Sequence, residues 1–355
     1  MADVFDSEKR DRSLTDYLYE IHEMAGHSPL LTKILEQNLY ENLPDDARKK
    51  LNKITGECYI PLLDKKKWKC CHLGCEEDSC LSHEISDSIF ISQIENDNKK
   101  VYILKPTLET NPLLDKFSEV YTNSATAFPG YCSYHDRELF KDIDGGRCDK
   151  NVFYNKQSLR TLHREKFEIK LKILMAQSII ESMKENDEFE EYYSEQINYF
   201  NEKIKIAKER LENVESIYGI VYCGIVNKEY KIKYQEFDVK KRGYLFASFF
   251  DLTDYKSNDE ACFVFLYKMN FENSPKLAIC YLDNVLSENA ATELHKEIRK
   301  PIMGCLLHAK RKRLVFSAEF IKEISPLSRE ILTKDEEIFP IGPIEQILLA
   351  LDFID

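Results

Sequence analysis

The segment Lys69–His83 reads KCCHLGCEEDSCLSH and carries the densest group of cysteines in the chain. Four of the 11 cysteines fall between Cys70 and Cys80. Three residues separate Cys71 from Cys75, a spacing that lets a tight turn present two thiolates to one cation. The segment has few apolar residues for a core of its own, and a bound metal can supply the folding free energy that such a segment lacks.

A second segment, Phe128–Phe140, reads FPGYCSYHDRELF and supplies another pair at metal-ligand spacing. Two residues separate Cys132 from His135. Together the two pairs predict a closed tetrahedral Zn²⁺ site with three sulfur ligands and one nitrogen ligand, formed by Cys71, Cys75, Cys132 and His135. The first pair has alternatives, because two further thiols and two imidazoles of the same segment could bind the metal instead, namely Cys70, Cys80, His72 and His83.

The composition is that of a folded chain with two or three packed units, because the 355 residues are 43% hydrophobic and 32% charged. The net charge of −12 disfavours a wide, sequence-independent nucleic-acid surface, which gains its affinity by neutralising phosphates. The total of 11 cysteines is odd, and four of them lie between Cys70 and Cys80, which favours a metal over a disulfide framework. No apolar run approaches the ~18 residues of a membrane span, and no signal-peptide pattern is present, so we expect a cytoplasmic protein without membrane contact.

The order of patterns along the chain predicts an α+β fold in four parts. A helical lead-in (1–58) precedes a zinc-binding, treble-clef-like segment (59–150). An antiparallel coiled-coil hairpin (155–216) follows, and an antiparallel sheet covered by helices (217–355) completes the chain. Within the zinc segment, the polar turn between Ile89–Ile94 and Val101–Leu104 predicts a β-hairpin.

The coiled-coil hairpin is predicted from apolar residues that recur at steps of three and four in two successive runs. The first run is Leu159, Leu162, Ile169, Ile173, Ala176, Ile180 and Met183, and the second is Tyr193, Ile197, Phe200, Ile204, Ala207, Leu211 and Val214. The polar stretch at 185–188 separates them. Such a hairpin serves as a stalk, or as the surface for a protein partner or for self-association.

The C-terminal sheet is predicted from segments rich in β-branched and aromatic residues at short spacing. These segments are Ile220–Val226, Tyr230–Phe237, Tyr244–Leu252, Cys262–Met269 and Leu277–Leu282. Three later segments have helical patterns and are expected to cover one face of the sheet: Ser287–Ala309, Ala318–Ile324 and Ile344–Leu351.

Two sequence elements carry a family resemblance: SHEIS at 82–86 and FPGYCSYHDRELF at 128–140. Together with the cysteine pair that precedes them, they resemble the treble-clef zinc fold of HNH endonucleases. They are closer still to a group of bacterial proteins that carry both elements. The resemblance covers about residues 70–165. It implies phosphodiester chemistry on nucleic acid and, by analogy alone, a bacterial role against foreign DNA.

The resemblance also implies roles for individual residues. In the HNH scheme a histidine acts as general base on water, and a divalent cation such as Mg²⁺ offsets the developing charge. His83 would be the base, and Asp136, or Glu138 in its place, would hold the cation. HNH enzymes usually have a carboxylate where Ser82 stands, and a hydroxyl is a poorer cation ligand. The alternative hypotheses are a catalytically inactive zinc module that recognises nucleic acid or protein, and a scaffold or sensor subunit.

Overall fold

The computed structural model describes residues 68–106, 115–185, 190–252, 262–271, 274–296, 306–307, 311–333 and 353. The predicted helical lead-in (1–58) and the predicted helix Ile344–Leu351 lie outside the described residues. The described part combines long helices with antiparallel strands. The fold class is therefore α+β, as the sequence predicts.

In chain order the strands are β1 (Leu81–His83), β2 (Lys100–Pro106), β3 (Asp115–Tyr121), β4 (Ala127–Pro129), β5 (Ile232–Asp238), β6 (Tyr244–Asp251), β7 (Phe263–Phe271), β8 (Ser274–Leu282) and β9 (Leu314–Phe316). The helices are α1 (Thr122–Ala125), α2 (Ser133–Asp144), α3 (Lys150–Lys184), α4 (Glu190–Val226), α5 (Val285–Lys296), α6 (Ala318–Glu323) and α7 (Pro326–Thr333). Among the described residues, a 3₁₀ turn at Ile91–Gln93 lies between β1 and β2, and another at Arg311–Arg313 directly precedes β9.

The cysteine segment builds a two-stranded sheet that leads into a helix. Strand β1 pairs antiparallel with β4, and Ser82 lies opposite Phe128 in the register. Helix α2 begins directly after Cys132, which is its N-cap residue. The excursion between β1 and β4 contributes β2 and β3, which pair with each other. The prediction that Ile89–Ile94 pairs with β2 was wrong, because Ile91–Gln93 forms a 3₁₀ turn instead of a strand.

The larger sheet has seven strands in the order β3-β2-β9-β6-β7-β8-β5, all antiparallel. Strands β2 and β3 come from the cysteine segment, and β5 to β9 come from the C-terminal part. The short strand β9 joins the two groups, because Phe316 lies opposite Tyr102 on one side and Tyr244 on the other. The sheet therefore includes strands from two parts of the chain that the sequence patterns assign to different units.

Both faces of this sheet are covered, which explains why its central strands are almost wholly apolar. In β7, Phe265 and Tyr267 belong to the core shared with the hairpin and the cysteine segment. The alternate residues Val264 and Leu266 belong to a second core, which includes residues of α5, α6 and α7. Side chains of a strand alternate between faces, so one strand contributes to both cores. The predicted covering of the sheet by helices is confirmed.

Helices α3 and α4 form the predicted antiparallel hairpin, which is longer than its sequence bounds of 155–216. The predicted strand Ile220–Val226 was wrong, because α4 continues to Val226. Its β-branched residues favour a strand, but Ile217 and Val221 are one helical turn apart and both fully buried. Packing of this face against the core overrides the local preference of the chain.

Lys268 is a fully buried lysine in β7. Its Nζ donates to the carbonyl oxygen of Tyr244 at 2.9 Å and to Oδ1 of Asn270 at 2.7 Å. Both acceptors are neutral. Burial, and then the charge of Arg242, lowers the pKa of Lys268 from 10.5 to about 7. The unfolded chain therefore binds this proton more tightly than the folded chain does.

We expect Lys268 to make stability rise with pH between about 7 and 10.5, where only the unfolded state keeps the proton. Each pH unit in this window changes the free energy of unfolding by up to about 1.4 kcal/mol. The free energy of unfolding of the parent minus that of Lys268→Met, measured by urea denaturation across this range, should become more positive as pH rises. Lys276→Met is the control, because Lys276 pairs with Asp238 at 2.6 Å and its pKa is raised. A flat difference for Lys268→Met contradicts the expectation.

The hairpin seam gives a second prediction. Ile173 and Ile204 are each only 8% exposed, so Ile173→Asp or Ile204→Asp buries an unpaired charge. Each variant should lower the free energy of unfolding by roughly 3 kcal/mol or more. Lys172→Asp, at an exposed position beside Ile173, is the control and should stay near the parent value. Equal stability of all variants in chemical denaturation would show that the seam is misplaced.

Candidate functional site

Three thiols and one imidazole converge at the junction of the cysteine segment and α2. The ligand atoms of Cys70, Cys75, Cys132 and His135 all lie within 4.8 Å of one another. Two of these residues, Cys70 and Cys132, are buried, and the other two are half-buried. His135 directs its Nδ1 into the group, at 3.5 Å from Cys70 Sγ and 3.3 Å from Cys132 Sγ.

The distances match those between the ligands of one tetrahedral zinc ion. With Zn–S of about 2.3 Å and Zn–N of about 2.0 Å, a tetrahedron separates two sulfurs by roughly 3.8 Å and a sulfur from a nitrogen by roughly 3.6 Å. Cys75 Sγ lies 4.0 Å from Cys132 Sγ, and the two sulfur–nitrogen distances are 3.5 and 3.3 Å. This Cys₃His cluster could hold a metal ion such as zinc.

The structure places Cys70 in the cluster, where the two-pair interpretation of the sequence took Cys71. Neighbouring residues of an extended segment point to opposite sides. Cys70 faces the cluster, while the Cys71 thiol lies among the charges of Lys166, Lys170 and Glu215 on the helical hairpin. The other three predicted ligands are brought together. The fourth ligand, Cys70, was only an alternative in the sequence interpretation, because spacing alone does not distinguish it from the adjacent Cys71.

Backbone hydrogen bonds shape the loop that carries Cys70 and Cys75. Cys70 N donates to the carbonyl of Glu77 at 2.8 Å, and Cys75 N donates to the carbonyl of His72 at 3.1 Å. Gly74 has a φ of +76°, a left-handed conformation that glycine adopts without steric cost. The sequence therefore folds a tight turn that returns the second thiol to the first.

The β4–α2 connection brings the second pair of ligands to this loop. Gly130 packs so closely on Ser82 that a Cβ there would lie 2.7 Å from the Ser82 hydroxyl. The backbone N–H of Tyr131 donates to that hydroxyl at 3.1 Å. The carbonyl of Tyr131 accepts from Cys80 N at 2.7 Å. Ser82 is fully buried and acts here as a backbone acceptor, so it does not provide a cation ligand beside His83.

The protonation of the ligands depends on burial and on nearby N–H groups. Burial raises the pKa of the Cys70 thiol to about 12. Burial also acts to raise the pKa of Cys132, but N–H groups of His135 and Tyr134 and the neighbouring thiols outweigh it, so this pKa is lowered. Burial, and then the charge of His72, lowers the pKa of His135. A neutral imidazole and a thiolate are the forms that bind zinc.

A second imidazole supports the ligand ring of His135. The ring of His72 stacks on it with centroids 3.7 Å apart and an angle of 3° between the planes. Nδ1 of His72 lies 3.1 Å from the carbonyl of Leu73, and its Nε2 lies 2.9 Å from the hydroxyl of Tyr222 on α4. Since a carbonyl only accepts, Nδ1 carries the hydrogen and Nε2 accepts from the tyrosine. His72 thus joins the metal cluster to the hairpin without being a ligand.

His83 lies outside the metal cluster, at the end of β1. Its Nε2 is 3.0 Å from the carbonyl oxygen of Asn123. Because the carbonyl only accepts, Nε2 carries the hydrogen, and the lone pair of the neutral ring is on Nδ1. The imidazole is half-buried and shares the outer face of the small sheet with its register partner Ala127.

The two carboxylates expected beside His83 are placed elsewhere. Glu138 is paired at the surface with Lys141 at 3.0 Å and Arg137 at 3.5 Å. The charge of Asp136, after burial, raises the pKa of the Cys80 thiol, which puts this carboxylate near Cys80. Among the residues that the structure describes, neither Asp136 nor Glu138 has a hydrogen bond or ion pair with His83. Helix α2 starts at the metal cluster, so its first turn stays on that side.

Asp144 lies at the other end of α2, and the charge of His83 is one of several contributions to its pKa. Burial acts to raise the pKa of Asp144, but it is lowered by the hydrogen bond and charge of Arg160, then by Ser86, and finally by the charge of His83. Arg160 binds both carboxylate oxygens, at 2.9 and 2.7 Å. No local sequence pattern predicts this pair, because Arg160 lies within the hairpin pattern and Asp144 ends a different helix.

Directly after His83, Glu84 enters a buried cluster of charges. Arg313 donates to Glu84 at 2.8 Å, to Glu165 at 2.9 Å and to Glu168 at 2.8 Å. Arg164 in turn donates to Glu168 at 2.8 Å. Glu84 and Arg313 are 3% and 7% exposed. The cluster therefore joins the His83 strand, the hairpin and the residue before β9, a long-range arrangement that no local pattern predicts.

No protein-family model, no curated protein and no solved structure matches this chain. No helix in the described part of the chain is both long enough and apolar enough to cross a membrane.

The cluster predicts that Cys70 is a ligand and Cys71 is not. Protein purified with zinc should contain about one metal ion per chain, and Cys70→Ser should lose both the metal and thermal stability, since structural zinc contributes folding free energy. Cys71→Ser is the matched control and should keep both. Metal content by mass spectrometry and thermal unfolding test this directly. Retention of zinc by Cys70→Ser together with its loss from Cys71→Ser would restore the ligand set expected from sequence.

Proposed function

We propose that this protein is a zinc-stabilised nuclease module in which His83 acts as general base on water for hydrolysis of a phosphodiester bond in nucleic acid. The hydrogen bond from His83 Nε2 to the carbonyl of Asn123 at 3.0 Å carries the proposal. It fixes the ring and leaves Nδ1 as the basic atom, which a general base needs. By analogy with HNH proteins, we further propose a cytoplasmic bacterial protein that acts against foreign DNA.

In this proposal the zinc has a structural role. Cys70, Cys75, Cys132 and His135 provide four ligands, which closes a tetrahedral site and leaves no position for a reactive water. The bound ion would lock the cysteine loop to the start of α2. Through the backbone bonds of Gly130 and Tyr131 with Cys80, this lock extends to β1 and therefore to His83.

A divalent cation such as Mg²⁺ would have to come close to the scissile phosphate, and in this proposal Asp144 provides the carboxylate that attracts it. Each of its oxygens accepts one bond from Arg160. A carboxylate has about four lone-pair sites, so acceptor capacity remains. Arg160 keeps the pKa of Asp144 low, which holds the carboxylate ionised for this role. Asp144 thus replaces Asp136 in the proposed site.

The second candidate is a catalytically inactive zinc module that recognises nucleic acid or a protein. Two observations favour it: the bidentate pairing of Asp144 with Arg160, and the net charge of −12. The first makes Asp144 a structural partner, and the second limits nonspecific phosphate binding. In this case His83 is a surface residue that stabilises the connection after β3 through Asn123.

The test is cleavage of labelled single-stranded DNA, double-stranded DNA and RNA by the full chain, with Mg²⁺ or Mn²⁺ supplied. General-base catalysis typically contributes about 10²–10⁴-fold, so His83→Ala should lose cleavage by that factor while keeping its zinc. His295→Ala, an exposed histidine at the end of α5, is the matched control and should cleave like the parent.

Two results would end the nuclease proposal. One is the absence of cleavage by the parent protein with every substrate and cation, in the presence of a full complement of zinc. The other is equal cleavage by the parent and His83→Ala. In either case the recognition module takes its place, and fluorescence anisotropy with the same nucleic acids then separates nucleic-acid binding from protein binding.

A further inference from the structure

A cleft of about 400 Å³ lies on the side of the large sheet where β5 connects to β6. Small-molecule sites typically enclose roughly 300–1,000 Å³. Its lining comes from three elements: the residues after the 3₁₀ turn at 91–93, the β5–β6 connection, and α6 with its N-cap. None of these residues takes part in the site proposed above.

One wall of the cleft is cationic. Lys240, Lys241 and Arg242 follow one another in the β5–β6 connection and all line the cleft. None of the three forms an ion pair with any residue in the part of the chain that the structure describes. Lys241 is half-buried, and the other two side chains are exposed. Cations that converge on a concave surface without partners attract an anion.

The facing wall is anionic. Glu319 and Glu323 lie one helical turn apart on α6, so they share one face, and Glu95 joins them from the 3₁₀ side. Within the described ranges, none of these carboxylates has an ion pair. The two walls therefore carry opposite charges that do not reach each other across the cleft.

The walls are held apart by a rigid floor. Ser317 N donates to the carbonyl of Gly243 at 2.7 Å. A Cβ on Gly243 would lie 2.5 Å from Cβ of Phe320 and 2.8 Å from Oγ of Ser317, so only glycine lets the connection approach α6 this closely. The approach fixes the cationic wall relative to the anionic one.

Behind the cationic wall is a further positive charge without an acidic partner among the described residues. Buried Lys268 donates only to the neutral acceptors of Tyr244 and Asn270. Asn270 in turn donates from Nδ2 to the carbonyl of Arg242 at 3.0 Å. The ammonium group is thus connected to the wall by one side chain. An anion bound at Arg242 would offset the charge of Arg242 and favour the protonated form of Lys268.

We propose that this cleft binds a small zwitterion of the amino-acid class, with its carboxylate at Lys240–Arg242 and its ammonium group at Glu319 and Glu323. A simple anion would face the three glutamates, and a simple cation would face the three basic residues. A molecule that carries both charges a short distance apart satisfies both walls. The inference does not depend on the proposed nuclease activity, because no residue is shared.

The test uses the full chain and the free standard L-amino acids as probes, first by thermal unfolding and then by calorimetric titration of the one that stabilises most. Binding to the folded state alone must raise the unfolding temperature. The same amino acid with its amine acetylated, and with its carboxylate amidated, should each bind at least about tenfold more weakly, because each keeps only one charge.

Arg242→Gln and Glu319→Gln should each weaken binding about tenfold. The matched controls are Lys208→Gln and Glu209→Gln, at exposed positions on α4, and these should bind like the parent. Failure of every amino acid to stabilise or bind the protein overturns the proposal. So does equal binding of the acetylated form, which would make the cleft an anion site, or equal affinity of the cleft variants and the controls.

Discussion

Four ligand atoms within 4.8 Å of one another set the constraint on which the N-terminal half of the described structure depends. Thiolates that close repel each other, and burial already raises the pKa of Cys70 to about 12. A cation removes both penalties at once. With the cation bound, the cysteine loop, the small sheet and the start of α2 become one unit. The loop itself has few apolar residues, so the cluster adds to the core that the cysteine segment shares with the hairpin.

The buried charges around Arg313 attach that unit to the rest of the protein. Glu84 follows His83 directly, so the strand that exposes the imidazole on one side inserts a carboxylate into the interior. Arg313 meets this carboxylate together with Glu165 and Glu168 of the hairpin. Loss of one member would leave unpaired buried charges, a change that typically costs about 3–5 kcal/mol. His83 is thus held between two clusters, one of metal ligands and one of ion pairs.

What the sequence could predict was local. The hairpin follows from apolar steps of three and four, and the residues of both runs whose side chains the structure describes are buried or partly buried. The strand expected at Ile220–Val226 failed because burial of Ile217 and Val221 on a helical face outweighs β propensity. Cys70 and Cys71 could not be separated, since the choice depends on which side of an extended segment faces α2. Pairs such as Glu84 with Arg313, 229 residues apart, leave no local pattern at all.

The position of the second carboxylate shows the same limit. Sequence order pointed to Asp136 and Glu138, which follow the second ligand pair. The proposed site instead uses Asp144, at the far end of α2, where Arg160 binds both carboxylate oxygens. Because α2 is anchored by Cys132 at one end and by the Asp144–Arg160 pair at the other, the geometry of the proposed site depends on the metal cluster. The proposed function of His83 therefore depends on a metal ion bound by the Cys₃His cluster.

X-ray absorption at the zinc edge of the purified full chain measures this centre most directly. We expect three sulfur ligands at about 2.3 Å and one nitrogen ligand at about 2.0 Å, with the zinc signal lost from Cys70→Ser and the same ligand shell kept in Cys71→Ser. A shell of oxygen and nitrogen ligands alone, or a folded chain that binds no metal, would contradict it.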